Sequence, residues 1–177
     1  VELARENDKI VGITPAMASG CSMTKMMEIF PHRAFDVGIA EEHAVTFSSG
    51  LSKNGMKPIY AVYSTFLQRC YDQIIHDVAI ASQPVKICVD RAGIVGEDGE
   101  THQGIFDIAF LKTVPGIQIF SPVNYLELKM HLSKSLYKIN APTVVRYPRG
   151  SQPNLPEDFI PSDDDFQFYG NPSAETV

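Results

Sequence analysis

The sequence predicts an α/β fold of three layers, with helices on both faces of a mainly parallel sheet of about six strands. Three observations carry this expectation. Short apolar runs rich in Val and Ile have the length of strands but lack the alternation of a half-exposed sheet. Segments with helical spacing separate them, so strand and helix alternate along most of the chain. Glycines and charged residues gather just after several of the runs, where an open parallel sheet keeps its ligands.

Taken in order, Val1 to Asn7 reads as the end of a helix and Lys9 to Thr14 as the first strand. A small-residue loop, Met17 to Ser22, leads to a short helix over Thr24 to Phe30. Pro31-His32 stops that helix, and Arg33 to Gly38 forms the second strand. The helix opened by Ile39-Ala-Glu-Glu-His43 places Ala40, Ala44, Phe47 and Leu51 on one face, with Ser48, Ser49 and Gly50 allowing close packing. Asn54-Gly55 ends it.

Lys57 to Tyr63 is a strand, and the clearest helical pattern follows from Phe66 to about Ser82. Its apolar stripe is Phe66, Leu67, Cys70, Tyr71, Ile74, Ile75 and Val78, with Thr65 and Gln68 spaced as a capping box. A strand over 84–89 precedes the segment Val89 to Gly104. Ile105 to Thr113 predicts a helix and Ile117 to Phe120 a strand. Asn124 with Glu127 caps a helix carrying Tyr125, Leu128, Leu132 and Leu136, and Thr143 to Tyr147 is the last strand.

From Ser151 the prolines 153, 156, 161 and 172 alternate with Asp163-Asp-Asp165 and periodicity ends. The expected division is therefore a domain over 1–150 and a linker over 151–177. No leading Met is present, and Thr176-Val177 could open a further strand, so the chain is expected to be a piece of a longer polypeptide.

Composition narrows the function. Its 177 residues, 44% of them hydrophobic, suffice for one core. With 21 acidic against 15 basic residues and no run of Lys or Arg, nucleic acid is not an expected partner. No apolar run approaches the roughly 18 residues of a membrane helix, so no membrane is expected. Cys21, Cys70 and Cys88 lack metal-ligand spacing and read as reduced core thiols. The glycines at 93, 96 and 99 lack dinucleotide spacing, and neither a nucleophile elbow nor a phosphate-binding P-loop occurs.

Four strand ends carry polar groups that could converge. They are Glu41 and His43; Tyr63, Ser64 and Arg69; Asp90, Arg91, Asp98 and His102; and Arg149-Gly150. Carboxylates, an imidazole and guanidiniums on one rim suit an enzyme acting on a small anionic, phosphorylated substrate. Plainer readings stand beside this one. Val89 to Gly104 is also a solvated loop with an Arg–Asp pair. Glu41 and Glu42 also suit the dipole of a helix's first turn, and Tyr63 and Phe66 also suit a core. His32, His76 and His131 are assigned to the surface or to local packing.

Four motifs carry a resemblance. Asp36-Val-Gly-Ile-Ala-Glu-Glu-His-Ala-Val-Thr-Phe47, Tyr63-Ser-Thr-Phe-Leu-Gln-Arg-Cys-Tyr-Asp-Gln73, Asp90 to Gly104, and Arg146-Tyr-Pro-Arg-Gly150 occur in the order of the 1-deoxy-D-xylulose-5-phosphate synthase family. The chain resembles the central, transketolase-like pyrimidine-binding domain of that family from about Ile10 to Gly150.

The resemblance implies a thiamine diphosphate transferase that decarboxylates pyruvate and joins the two-carbon unit to glyceraldehyde 3-phosphate, feeding isoprene and thiamine biosynthesis. It implies that Glu41 is the catalytic glutamate facing the cofactor's pyrimidine and that Phe66 stacks on that ring. Tyr63, Arg91 and Arg149 would bind the acceptor's phosphate, and Asp98 and His102 would handle substrate. Arg69 matches the motif with no assigned role. Two departures stand out: Glu42 where Gln is expected, and Glu97 where a small residue is commoner.

The same resemblance implies Mg²⁺ bound by a preceding domain, a further domain after Val177, a homodimer, and a bacterial cytoplasmic or plastid location. As a piece without the diphosphate-binding domain, the chain is expected to be inactive alone. Two other readings are another thiamine diphosphate enzyme, such as a transketolase or a 2-oxoacid dehydrogenase beta subunit, and a non-catalytic α/β binding module.

Overall fold

The computed structural model describes residues 1–152, 155 and 159–161. The linker expected over 151–177 lies almost wholly outside the described residues. Along the chain come α1 (Glu2–Glu6), β1 (Ile10–Thr14), α2 (Thr24–Ile29), β2 (Ala34–Asp36), α3 (Glu41–Lys53) and β3 (Lys57–Tyr63). Next come α4 (Ser64–Leu67), a 3₁₀ turn over Gln68–Cys70, α5 (Tyr71–Gln73) and a π-wound run over Ile74–Ile80. Then follow β4 (Lys86–Asp90), a 3₁₀ turn over Glu100–His102, α6 (Asp107–Leu111), β5 (Gln118–Phe120), α7 (Tyr125–Tyr137) and β6 (Thr143–Arg146).

The expected sheet is present: six strands in the order β2-β1-β3-β4-β6-β5, every pairing parallel. All five residues of β1 and all five of β4 are buried, which explains why neither run alternates. The register aligns Ile13, Tyr60, Ile87 and Val144 across the sheet, and all four are fully buried. Burying a side chain of this size stabilises a fold by about 1.5–3 kcal/mol before entropy is counted. Beside β1 the chain goes to β2 on one side and to β3 on the other. The carboxyl ends of β1 and β3 therefore flank a topological switch point, where such sheets open a crevice.

Several expected details change. The stretch read as one helix from Phe66 begins at Ser64 and passes through α, 3₁₀, α and π winding. Leu67, Cys70, Ile74 and Val78 still bury completely, so the apolar stripe fixes what packs and leaves the winding open. The capping box at Thr65 does not form. The Thr65 hydroxyl donates to the Thr101 carbonyl at 3.0 Å, and the Gln68 amide turns back to the Thr65 carbonyl at 2.9 Å.

On α3 the buried face is Glu41, Ala44, Val45, Ser48, Ser49 and Ser52, rotated from the expected Ala40-Ala44-Phe47-Leu51 stripe. Small side chains let the helix approach the sheet closely, and Phe47 moves to the flank, edge-on to Phe35 at 5.5 Å. Gly50 faces open space rather than a close neighbour. The α7 cap forms as expected, with Asn124 Oδ1 accepting from the Glu127 amide at 2.9 Å. Its buried face, however, is Glu127, His131, Ser135 and Leu136, while Tyr125 is exposed. His131 packs locally, stacked on Phe120 at 4.7 Å. The three cysteines are free and buried.

Opposite the site, at the amino ends of β3 and β4, two lysines anchor the α7–β6 connection. Lys57 Nζ donates to the Leu136 carbonyl at 2.6 Å. Lys86, buried, donates to the carbonyls of Ile139 and Ala141, both at 2.9 Å, and to Thr143 Oγ1 at 3.2 Å. Burial, with Lys57 nearby, pushes the Lys86 ammonium down to about 8.

Candidate active site

The loops beyond β1 and β2 are tied first. Asp36 Oδ1, at the end of β2, accepts from the amides of Ala16 at 2.8 Å and Gly38 at 3.0 Å. That leaves Gly20 against the end of β3, where an added Cβ would lie 1.5 Å from Tyr63 Oη. Only glycine leaves room for the Tyr63 ring there.

Glu41 is the first residue of α3 and is 2% exposed. A carboxylate is favoured at a helix amino terminus, yet burying one needs a partner. Arg69 supplies it: its Nη1 donates to Glu41 Oε1 at 3.0 Å. The guanidinium also lies over the Phe66 ring, 5.0 Å from its centroid. Arg69 thus links the carboxylate to the aromatic ring across 28 residues of sequence.

Phe66 belongs to a three-ring cluster. Tyr63 stacks on it at 6.0 Å, and His102 sits edge-on to both, 5.2 Å from Phe66 and 6.3 Å from Tyr63. The Thr101 hydroxyl pairs with His102 Nδ1 at 2.8 Å. Tyr63 also carries the Arg91 guanidinium, 3.7 Å from its ring centroid. Arg91 holds φ = 56°, a left-handed conformation costing a non-glycine residue about 1 kcal/mol or more. Its side chain is fixed on three sides, by Asp98 Oδ2 at 2.7 Å, Asp90 Oδ1 at 3.2 Å and the Gly20 carbonyl at 3.2 Å. Burial raises the Asp90 carboxyl above its ordinary value, with the Arg91 charge opposing. It also pushes the neighbouring Cys21 thiol up to about 12.

Arg149, after β6, completes the rim. It pairs with Asp98 through Nη1 and with Glu97 through Nη2 at 2.8 Å. The loop carrying these acids closes on itself. Gly93 and Gly104 exchange two backbone hydrogen bonds of 2.7 Å, and a Cβ on Gly104 would lie 2.1 Å from the Arg91 carbonyl. Gln103 clamps the interior, accepting from the Val95 amide and donating to the carbonyls of Val95 and Gly99. Arg146 is bidentate to the buried Asp107, at 2.9 and 3.2 Å, and holds α6 against β6.

The structure therefore brings Glu41, Tyr63, Phe66, Arg91, Asp98, His102 and Arg149 into one continuous run of contacts, with Arg69 as the link to Glu41. A cleft of about 440 Å³ opens beside Arg91 and Arg149, floored by Ser19 to Ser22. Sequence reasoning missed Gly20, Gln103, Arg146 and the role of Arg69. Gly20 lies in a stretch marked by its small residues, and Arg69 and Arg146 lie inside the motifs over Tyr63–Gln73 and Arg146–Gly150. Nothing local marked Gln103 as a clamp. Among the described residues no group of three His, Cys, Asp or Glu side chains is placed to hold a metal ion.

The geometry of a carboxylate, an aromatic cluster and an arginine rim at the switch point of a parallel sheet agrees with a family model. The model for the transketolase pyrimidine-binding domain matches residues 1–154. The chain belongs to the transketolase pyrimidine-binding domain family. Within that family it is similar to curated proteins named 1-deoxy-D-xylulose-5-phosphate synthase. The protein of Parabacteroides distasonis is 57% identical over 150 residues, 85% of this chain and 24% of that protein. The protein of Gloeobacter violaceus is 53% identical over 156 residues, 88% of this chain and 24% of that protein.

The chain thus spans about a quarter of the length of these relatives. Among solved structures, this pyrimidine-binding domain is similar to a split-gene transketolase solved as an inactive beta4 tetramer. That match has TM-score 0.74 and 29% identity and covers 95% of this chain and 52% of the other. The Campylobacter jejuni transketolase matches with TM-score 0.74 at 19% identity, over 83% of this chain and 24% of the other, and shows the shared fold. No helix among the described residues is long and apolar enough to cross a membrane.

Proposed function

We propose that the chain is the pyrimidine-binding part of a 1-deoxy-D-xylulose-5-phosphate synthase, a thiamine diphosphate transferase that condenses pyruvate, with loss of carbon dioxide, with glyceraldehyde 3-phosphate. The observation that carries this reading is Glu41. It is a buried carboxylate at a helix start, bonded by one guanidinium through Oε1, beside an aromatic cluster and an arginine rim. The whole enzyme's activity, the division into a domain over 1–150 and a following linker, a homodimer and a cytoplasmic site belong to the same proposal. So does a role in thiamine as well as isoprene biosynthesis.

The residues present fit one half of the cofactor. A flat aminopyrimidine needs an aromatic face and a hydrogen-bonding carboxyl, and Phe66 and Glu41 supply these, joined by Arg69. When bound, thiamine diphosphate supplies an electron sink that stabilises a carbanion beside its thiazolium ring. Mg²⁺ and the diphosphate would be held by the parent chain outside this one, which makes the chain inactive by itself.

Each residue then has a task. Glu41 holds a proton or hydrogen bond against a ring nitrogen at its free oxygen, its direction fixed by Arg69 on Oε1. Phe66 presents a rigid ring, which loses little entropy on stacking. Arg91, Arg149 and the Tyr63 hydroxyl bind the acceptor's phosphate, since two guanidiniums offer the planar donor pairs that phosphate accepts. His102, with Nδ1 held by Thr101, would serve the acceptor through Nε2. Asp98 aligns the two arginines.

In the full-length protein, pyruvate-dependent formation of deoxyxylulose phosphate should require thiamine diphosphate. Transketolase activity on ketose phosphates without pyruvate would instead favour a transketolase, a second reading to which the 29% identical split-gene transketolase lends support.

A further inference from the structure

The arginine rim is already occupied by the protein's own carboxylates. Arg91 Nε is bonded to Asp98 Oδ2 at 2.7 Å, and the other oxygen of Asp98 pairs with Arg149 Nη1. The second terminal nitrogen of Arg149 meets Glu97 Oε2 at 2.8 Å. Asp90 adds a third carboxylate at 3.2 Å from Arg91. Two cations thus face three acids, and a phosphate dianion entering this cluster would be repelled unless part of the acidic set withdrew.

The loop is built so that part of it can withdraw. Its base is fixed by the Gly93–Gly104 pair of hydrogen bonds. Gln103 holds Val95 by its amide and carbonyl, and Gly99 by its carbonyl. The segment between these anchors is Gly96-Glu97-Asp98. An added Cβ at Gly96 would meet nothing within 4 Å. The Glu97 side chain is 81% exposed, against 18% for Asp98.

Resting on the phosphate-binding role given above to Arg91 and Arg149, we propose that Glu97-Asp98 is a tethered counter-anion. It sits on the two arginines, and an anionic substrate competes with the exposed Glu97 for Arg149 while the mostly buried Asp98 stays in place. Asp98 aligns the guanidiniums, and Glu97 sets how tightly the site holds a phosphorylated acceptor. Because Glu97 is exposed, its hold on Arg149 is weak and screened by salt. It therefore trims affinity without blocking the site.

The test uses the full-length enzyme and two probes, glyceraldehyde 3-phosphate as substrate and inorganic phosphate as competing anion. Glu97→Gln removes the charge at an exposed position that no fold contact needs. It should lower the KM for the phosphorylated acceptor and the inhibition constant of phosphate together, by about two- to fivefold, the range of an exposed ion pair. The KM for pyruvate and the kcat should stay unchanged. The gain should disappear at about 1 M salt, where the screening length falls to about 3 Å. It should also disappear when Arg149 is replaced by Ala.

Unchanged or weaker phosphate binding in Glu97→Gln, with Arg149→Ala still impairing it, would overturn the counter-anion while leaving the phosphate site intact. If Arg149→Ala changed neither constant, the phosphate reading of the rim would fall, and the counter-anion with it.

Discussion

Gly104 is the position at which one methyl group should test the architecture of the site loop. An alanine Cβ there would lie 2.1 Å from the Arg91 carbonyl oxygen and 2.9 Å from both Ala92 Cα and Gly93 N. All three are backbone atoms, so the clash cannot be relieved by a side chain turning away. The two strands of the loop base must separate, and the pair of 2.7 Å bonds between Gly93 and Gly104 is lost. At about 0.5–1.5 kcal/mol net per hydrogen bond, Gly104→Ala should cost about 1–3 kcal/mol, or roughly 2–12 °C in Tm for a chain of this size.

Urea unfolding gives the free energy, and amide exchange locates it. Protection should fall at Gly93, Gly104 and Val95, while amides of β3 and β4 should lose no more than the global change. Gly99→Ala is the control. Its φ of +76° with ψ of −173° is a conformation essentially confined to glycine, so the change should cost about 1–3 kcal/mol of backbone strain, yet with nothing within 4 Å of the added Cβ it should spare the loop base in amide exchange. A Gly104→Ala protein with wild-type stability and wild-type protection of the loop would refute this account of the loop.

Asp107 is buried and holds Arg146 in a bidentate pair, so Asp107→Asn should destabilise by about 3–5 kcal/mol in thermal or urea melts. Lys86 offers a pH test. Its folded value of about 8 lies below the ordinary 10.5, so the unfolded chain binds more protons between those values and stability from this group rises with pH. From pH 8 to 9 the gain should be about 1 kcal/mol larger in wild type than in Lys86→Met; equal slopes would contradict the burial of the charge. The three cysteines, each pushed up to about 12 by burial, should resist a thiol reagent at pH 8 and react once the protein unfolds. Fast labelling of the native state would contradict their placement.

The sheet was legible because a strand buried on both faces must be a continuous apolar run, and Ile10–Thr14 and Lys86–Asp90 are such runs. The gathering of Glu41, Tyr63, Arg91, Asp98, His102 and Arg149 was legible too, since polar groups that follow parallel strands share one edge. Winding was not legible. Leu67, Cys70, Ile74 and Val78 bury equally well in α and π geometry, so the apolar pattern was silent about the run over Ile74–Ile80. The Thr65 cap failed because a distant carbonyl, Thr101, competes for the hydroxyl. The α7 face was misjudged because Glu127 and His131 bury through a cap and a ring contact rather than through apolarity. The Glu41–Arg69 tie joins different elements, and no local spacing announces it.

The proposed role of Glu41, as the catalytic carboxylate of a thiamine diphosphate site, rests on the turnover of a single variant. In the full-length protein, thiamine diphosphate-dependent formation of deoxyxylulose phosphate is compared between wild type and Glu41→Ala, with circular dichroism and a urea melt confirming that both are folded. Glu41→Ala should fold and show at least about a hundredfold lower kcat, the scale of a lost proton-transfer group. A folded Glu41→Ala enzyme with wild-type turnover would contradict that role.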